Sequence, residues 1–348
     1  MSRRAVTLLV SMLTVMVLVV VGALVSVPYV ALSPGPTINT LGSTSNGQPL
    51  IVVQGRRTYP TSGHLNLVTV SVSGGPGRQL GLFNAILGWW QRNTAVVPEE
   101  ELFQKGTTPQ QSVRQSQLEM EQSQQAATSA ALLELGIKPK AIDIHDFVTK
   151  APAAAQLRKG DILRSIDGRR VTGLAQLTEL VGTHRKPGDL ITLGIRRAGH
   201  DRTVRVPTMA APGQPSRAII GIYPEPVWPF RIDFHLEDVG GPSAGMMFAL
   251  GIIDKLTPGD LTGDRFIAGT GEIGADGEVG AIGGIAQKMA GARRDHASYF
   301  LAPASNCQDV RQAHVPSGLQ VVKVSTLHQA LGDVRAIAAG RAAGLPGC

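Results

Sequence analysis

Two residues in the C-terminal third of the chain have the types and surroundings to cleave an amide together. One is the serine of Gly240-Gly241-Pro242-Ser243-Ala244-Gly245; the other is the lysine that closes Gly283-Gly284-Ile285-Ala286-Gln287-Lys288, 45 residues later. The apolar run Met246 to Ile253 reads as a buried helix, which puts Pro242 and Ser243 at its start, where proline and a capping serine are favoured. Backbone N–H groups at a helix start carry partial positive charge and suit a developing oxyanion. The plainer reading of the same run is a serine that only caps its helix. Lys288 follows Ile285 by three residues and shares its helix face. Burial there disfavours the ammonium and draws its pKa from ~10.4 toward ~7–8. A neutral amine can take the proton of a serine hydroxyl. The plainer reading of the lysine is a buried stem with its head snorkelling to water.

Other chemistries find little support. His235 lies eight residues before Ser243, but no aspartate is placed to orient it as a base. There are two cysteines, Cys307 and Cys348, with no CxxC or HExxH, so no metal site is expected. No GxxxxGK[ST] loop occurs, and no cofactor is expected. The net charge of +7 is spread along the chain without a block of like charges, so nucleic acid is not an expected partner.

Taken together, three ordered runs resemble the proteolytic domain of the Lon family of Ser-Lys proteases: Gly241 to Gly245 (GPSAG), Thr270 to Ile273 (TGEI), and Ile282-Gly283-Gly284 with Lys288 four residues on. The resemblance covers about 125 residues. It implies Ser243 as nucleophile, Lys288 as general base and Thr270 as the residue that orients the amine. Gly241, Pro242, Ala244 and, more weakly, Glu272 are supporting residues. Many full-length members carry an aspartate three residues before the serine; here that position is Gly240. The resemblance also suggests ring-shaped homo-oligomers.

The elements that must position this pair fall into several stretches. Ala5 to Val27 is almost wholly apolar and long enough to cross a bilayer core that needs ~20 helical residues. Arg3 and Arg4 before it favour a cytoplasmic N-terminus, an uncleaved anchor, and an extracytoplasmic remainder at the cell membrane. In that oxidising space Cys307 and Cys348 could pair. Residues 1–35 are read as cytoplasmic tip and anchor, and 36–136 as a strand and helix region packing on the protease. Within it, Trp89 and Trp90 are expected in a small core, with contact at the membrane interface as the alternative reading. Residues 137–208 resemble a PDZ domain of the type in exported bacterial proteases, through Ala151-Pro152-Ala153-Ala154, Leu157, Gly160-Asp161, Leu163, Ile166-Asp167-Gly168 and Val171. That implies an extended peptide added to a sheet edge. The expected groove lies between the strand near Ile142–Phe147 and the helix at Leu174–Val181, with Ile142, Ile144 and Leu177 as contacts; the usual GLGF-like carboxylate loop is not found. Residues 209–217 read as a linker, 218–342 as the proteolytic domain and 343–348 as a tail. The expected fold class is α+β multidomain: a transmembrane helix, a β-rich PDZ-like domain and an α/β Lon-type domain. The expected function is an ATP-independent serine endopeptidase acting on extracytoplasmic or membrane-proximal proteins. A proteolytically idle, PDZ-based adaptor or chaperone is the alternative.

Overall fold

The computed structural model describes residues 3–171, 173–182, 185–236 and 239–348. In chain order the elements used below begin with α1 (Arg3–Leu24), β1 (Tyr29–Asn39), β2 (His64–Ser73), α2 (Leu82–Trp90), β3 (Ala95–Pro98) and α3 (Pro109–Glu134). Next come β4 (Ala141–Phe147), β5 (Ile162–Ile166), α4 (Leu174–Gly182), β6 (Leu190–Arg197), β7 (His200–Pro207), β8 (Met209–Ala211), β9 (Gln214–Ile219) and β10 (Ile222–Val227). The last stretch supplies α5 (Gly245–Leu256), β11 (Phe266–Gly269), β12 (Glu272–Ile273), β13 (Val279–Gly280), α6 (Ile285–Arg294), β14 (Tyr299–Pro303), α7 (Cys307–Gln312), β15 (Gln320–Val324) and α8 (Leu327–Ala338).

Two compact units form. The first takes residues up to Val52, Arg57–Glu134 and Ile232–Cys348; the second takes Val53–Arg56 and Leu135–Arg231. In the first unit a mixed sheet runs in the order β15-β14-β11-β2-β1-β3. The four strands from β15 to β2 are parallel, and β1 and β3 run antiparallel to their neighbours. Parallel strands are covered on both faces, which is why Leu65, Leu67, Ile267, Phe300 and Leu301 are all fully buried. Helix α5 is apolar on every side up to Ile253, and every residue from Gly245 to Asp254 is buried. Helix α6 is one-sided instead: Ile285, Lys288, Met289 and Ala292 face inward, while Arg293 and Arg294 lie in its last turn. Cys307 and Cys348 are joined by a disulfide that ties the C-terminus to α7.

In the second unit β7-β6-β5-β4-β10 form an antiparallel sheet around a core of Ile142, Ile144, Leu163, Ile166, Ile191 and Leu193. Asp167 and Gly168, after β5, both take positive φ, as a tight hairpin turn requires. The stretch expected as a linker, 209–217, is instead occupied by the hairpin of β8 and β9. Beyond it, β10 pairs with β4, so residues 222–227 complete this sheet rather than opening the proteolytic domain.

Helix α1 is long and apolar enough to cross a membrane, with a mean hydropathy of 2.6 over Arg3–Gly22, and it is not buried in a protein core. Trp89 and Trp90 depart from the expected core packing: they are 59% and 86% exposed. The reason is steric. Ala85 and Gly88 form the buried face of α2, and a Cβ on Gly88 would lie 2.7 Å from Val96 Cγ2. The small face docks, and the tryptophans turn outward.

Candidate active site

Ser243 sits in a turn between the glycine pair and α5. It is not the helix cap: Ala244 holds that position, and the first helical bond runs from Phe248 N–H to the Ala244 carbonyl at 3.0 Å. The Ser243 carbonyl is engaged elsewhere. It accepts from Gly271 N–H at 2.9 Å and from the Thr270 hydroxyl at 3.0 Å. The serine is thus held by the loop after β11 and is released from capping. Among the described residues, the N–H groups of Ser243 and Ala244 donate to no protein acceptor.

Lys288 reaches this loop from the first turn of α6. Gly284 starts that helix in a left-handed conformation, φ +69°, and Lys288 N–H donates to its carbonyl at 3.0 Å. The side chain is 3% exposed, and its Nζ lies 2.8 Å from Ser243 Oγ and 2.9 Å from Thr270 Oγ1. Burial pushes the Lys288 pKa down from 10.5 to about 8, while the negative charge of Glu272 opposes that fall. Glu272 itself is exposed on β12. Donor and acceptor roles then follow from one proton. The Thr270 hydroxyl donates to the Ser243 carbonyl, so its oxygen must accept an N–H from Lys288. Once the amine is neutral, its lone pair is left for the Ser243 hydroxyl.

Helix α3 supports the same loop, a role its Gln-rich sequence did not disclose. The Ser116 carbonyl accepts from Gly241 N–H at 3.0 Å, and the buried Ser123 hydroxyl donates to the Pro242 carbonyl at 2.9 Å. A Cβ on Gly240 would lie 2.4 Å from Ser116 Oγ. That contact leaves no room for the aspartate many Lon enzymes have there. The available signal was the stripe Met120, Ser123, Ala127, Ala130 and Ala131, buried at helical spacing. His235 does not join the pair. Its ring Nδ1 lies 2.9 Å from the Pro49 carbonyl.

In the second unit the expected groove has to be moved. Ile142 and Ile144 are fully buried, and β4 is paired by β5 on one side and β10 on the other. It has no free edge for a peptide. The groove, about 170 Å³, lies instead between α4 and the segment from Arg217 to Pro224, where Leu177, Val181, Ile220 and Ile222 line it. Ile219-Ile220-Gly221-Ile222 runs along it into the edge strand β10. Gly221 is required there: its φ is +80°, and a Cβ would lie 2.6 Å from Met209 Sδ. Leu177 does line the groove. One trio of possible metal donors occurs among the described residues, Asp143, His145 and Glu225, in which His145 Nδ1 lies 3.2 Å from a Glu225 carboxylate oxygen.

Residues 119–208 match the family model of the PDZ domain, and residues 237–336 that of the Lon protease (S16) C-terminal proteolytic domain. Lon protease 1 of Sorangium cellulosum is 41% identical over 93 residues, covering 26% of this chain and 11% of that protein. Lon protease of Rhizobium meliloti is 30% identical over 214 residues, 56% of this chain and 25% of that protein. Lon protease 2 of Bacillus subtilis is 30% identical over 111 residues, 30% and 19% of the two lengths. The chain thus spans a quarter or less of the length of these curated relatives. Among solved structures, the PDZ domain of the SdrC-like protein from Listeria monocytogenes is 19% identical, covering 24% of this chain and 86% of that one with a TM-score of 0.22. A protein from Geobacillus thermodenitrificans is 21% identical, with coverage of 24% and 95% and a TM-score of 0.22. This chain carries a PDZ domain and a Lon-type C-terminal proteolytic domain behind an N-terminal helix apolar enough to be a membrane anchor.

Proposed function

We propose that this protein is a membrane-anchored serine endopeptidase that works without ATP, with Ser243 as nucleophile and Lys288 as general base. The observation that carries the proposal is a buried lysine amine 2.8 Å from a serine hydroxyl, where burial pushes the lysine pKa down to about 8. The neutral amine takes the Ser243 proton as Oγ attacks the scissile carbonyl. The tetrahedral oxyanion is met by the N–H groups of Ser243 and Ala244, which have no acceptor among the described residues. The protonated lysine returns the proton to the leaving amine, an acyl-enzyme forms, and water activated by the same amine releases it. Thr270 fixes the direction of the amine throughout.

The topology is part of the proposal. Arg3 and Arg4 hold the N-terminus in the cytoplasm, and both units lie outside. The disulfide between Cys307 and Cys348 supports an oxidising compartment. Substrates are extracytoplasmic or membrane-proximal proteins with extended or unfolded segments. The PDZ groove takes peptide ends: apolar side chains line it, Arg217 supplies a positive charge for a carboxylate, and the edge strand is interrupted by Pro224 and Pro226, which limits how far a peptide can pair along it. Digestion of an unfolded protein by the detergent-solubilised full chain tests the reading. Wild type should cleave, and Ser243→Ala should not; equal turnover by the two would rule out Ser243 as nucleophile.

A further inference from the structure

Helix α2 has its apolar residues arranged against the usual order. No residue from Leu82 to Trp90 is charged. Its small residues, Ala85 and Gly88, are buried against the sheet, whereas Leu87, Trp89 and Trp90 are 55%, 59% and 86% exposed. Phe83 and Ile86 are exposed beside them. Trp89 keeps an edge-on contact with Tyr29 at 5.8 Å between ring centroids. A surface helix in water presents polar residues outward, and contiguous large apolar side chains on a surface mark a contact with something apolar.

The position of α2 identifies that contact. The apolar stretch of α1 ends at Gly22, and a Cβ there would lie 2.8 Å from the Phe83 ring. Ser26–Val27 pairs with Leu80–Gly81, and Leu82 N–H donates to the Val25 carbonyl at 3.0 Å. Helix α2 is therefore fastened to the point where α1 would leave a bilayer. Exposed arginines, Arg78 and Arg92, flank it on either side. Tryptophans between an apolar layer and basic residues are the signature of a membrane–water boundary.

We propose that α2 is a second membrane contact, an interfacial helix that lays Phe83, Ile86, Leu87, Trp89 and Trp90 into the headgroup–acyl boundary of the leaflet from which α1 emerges. The occupant is phospholipid rather than a partner protein, because the patch is continuous with α1. The inference rests on the reading of α1 as a membrane span. A single span leaves a domain free to tilt, whereas two attachments hold the first unit, and with it Ser243, at a fixed angle to the membrane. That arrangement favours substrates whose cleavable segment lies close to the bilayer.

Fluorescence quenching on the full chain, reconstituted in phosphatidylcholine–phosphatidylglycerol vesicles, tests this. The chain has three tryptophans. Nitroxide-labelled lipids with the label near the headgroup should remove about half of the wild-type emission, and this quenching should disappear in Trp89→Phe/Trp90→Phe, which retains Trp228. A Leu13→Trp reporter in that double variant should be quenched by a label deep in the acyl chain. If the Leu13→Trp reporter is quenched while Trp89 and Trp90 are not, the interfacial helix is refuted and the span stands. Blue-shifted but unquenched Trp89 and Trp90 emission would mean a protein surface covers α2, which also refutes it. An unquenched Leu13→Trp reporter removes the span and the proposal together.

Discussion

The dyad loop of the first unit and the groove of the second solve opposite problems. The side chains around Lys288 have fixed partners: Thr270 Oγ1 sits 2.9 Å from its amine, and the Ser243 carbonyl accepts two donors. Burial disfavours the ammonium, so the amine is held close to losing its proton. The groove between α4 and β10 is lined mainly by aliphatic side chains and stays open to solvent on one side, with Arg217 exposed at its margin. On the proposed function, chemistry here depends on immobilised polar atoms in a buried site. Recognition depends on apolar area with a charge at its margin. Substitutions in the first region should therefore act on the rate of bond cleavage, and those in the second only on which peptides bind.

The largest effect should come from Lys288→Met. Proteolysis of an unfolded substrate should fall by about three orders of magnitude or more, the scale seen when a base is removed from a nucleophile. The protein should not become less stable. A lysine whose folded pKa lies below its unfolded value carries a penalty that is full below about pH 8 and is relieved as pH rises toward 10.5. Replacing it removes that penalty but also two hydrogen bonds, so a net gain of about 1–2 kcal/mol is expected at pH 7 and less at pH 10. Thermal unfolding of both proteins at the two pH values checks the sign.

Thr270→Val should come next. It leaves the amine one acceptor short and free to rotate, and kcat should fall by about 10–100-fold with little change in KM. Thr270→Ser should restore most of the rate; failure of that rescue would mean the methyl group, not the hydroxyl, matters. The groove should respond more mildly. Arg217→Glu should weaken binding of a peptide with a free C-terminal carboxylate by about tenfold, leave its amidated form unaffected, and leave kcat on unfolded protein unchanged. A change in kcat would break the division of labour between the two regions.

The two regions also differed in how much of them could be read from sequence. Ser243, Thr270 and Lys288 are singled out by the resemblance of three short runs to the Lon proteolytic domain, and Lys288 Nζ lies within 2.9 Å of both hydroxyls. The groove depends on register across the chain. Alternation in Ala141–Phe147 marks a strand but cannot tell an edge from a centre; only the pairing of β10 with β4 makes it a centre. The residues that border the groove, Ile219 to Ile222, lie past the stretch that read as a linker. Likewise the apolar content of α2 was plain, but which face docks was decided by the fit of Gly88 against Val96. Part of the support that α3 gives the serine loop runs through the Ser116 backbone carbonyl, which leaves no trace in residue type.

The central claim, that a desolvated neutral amine activates Ser243, is tested most directly by the pH dependence of kcat/KM between pH 6 and 10. A lysine with a pKa near 8 predicts a rate that climbs about tenfold per pH unit at the acid end and levels off above about pH 8. A flat profile across that range, or an inflection at the ordinary lysine value near 10.4, would contradict it.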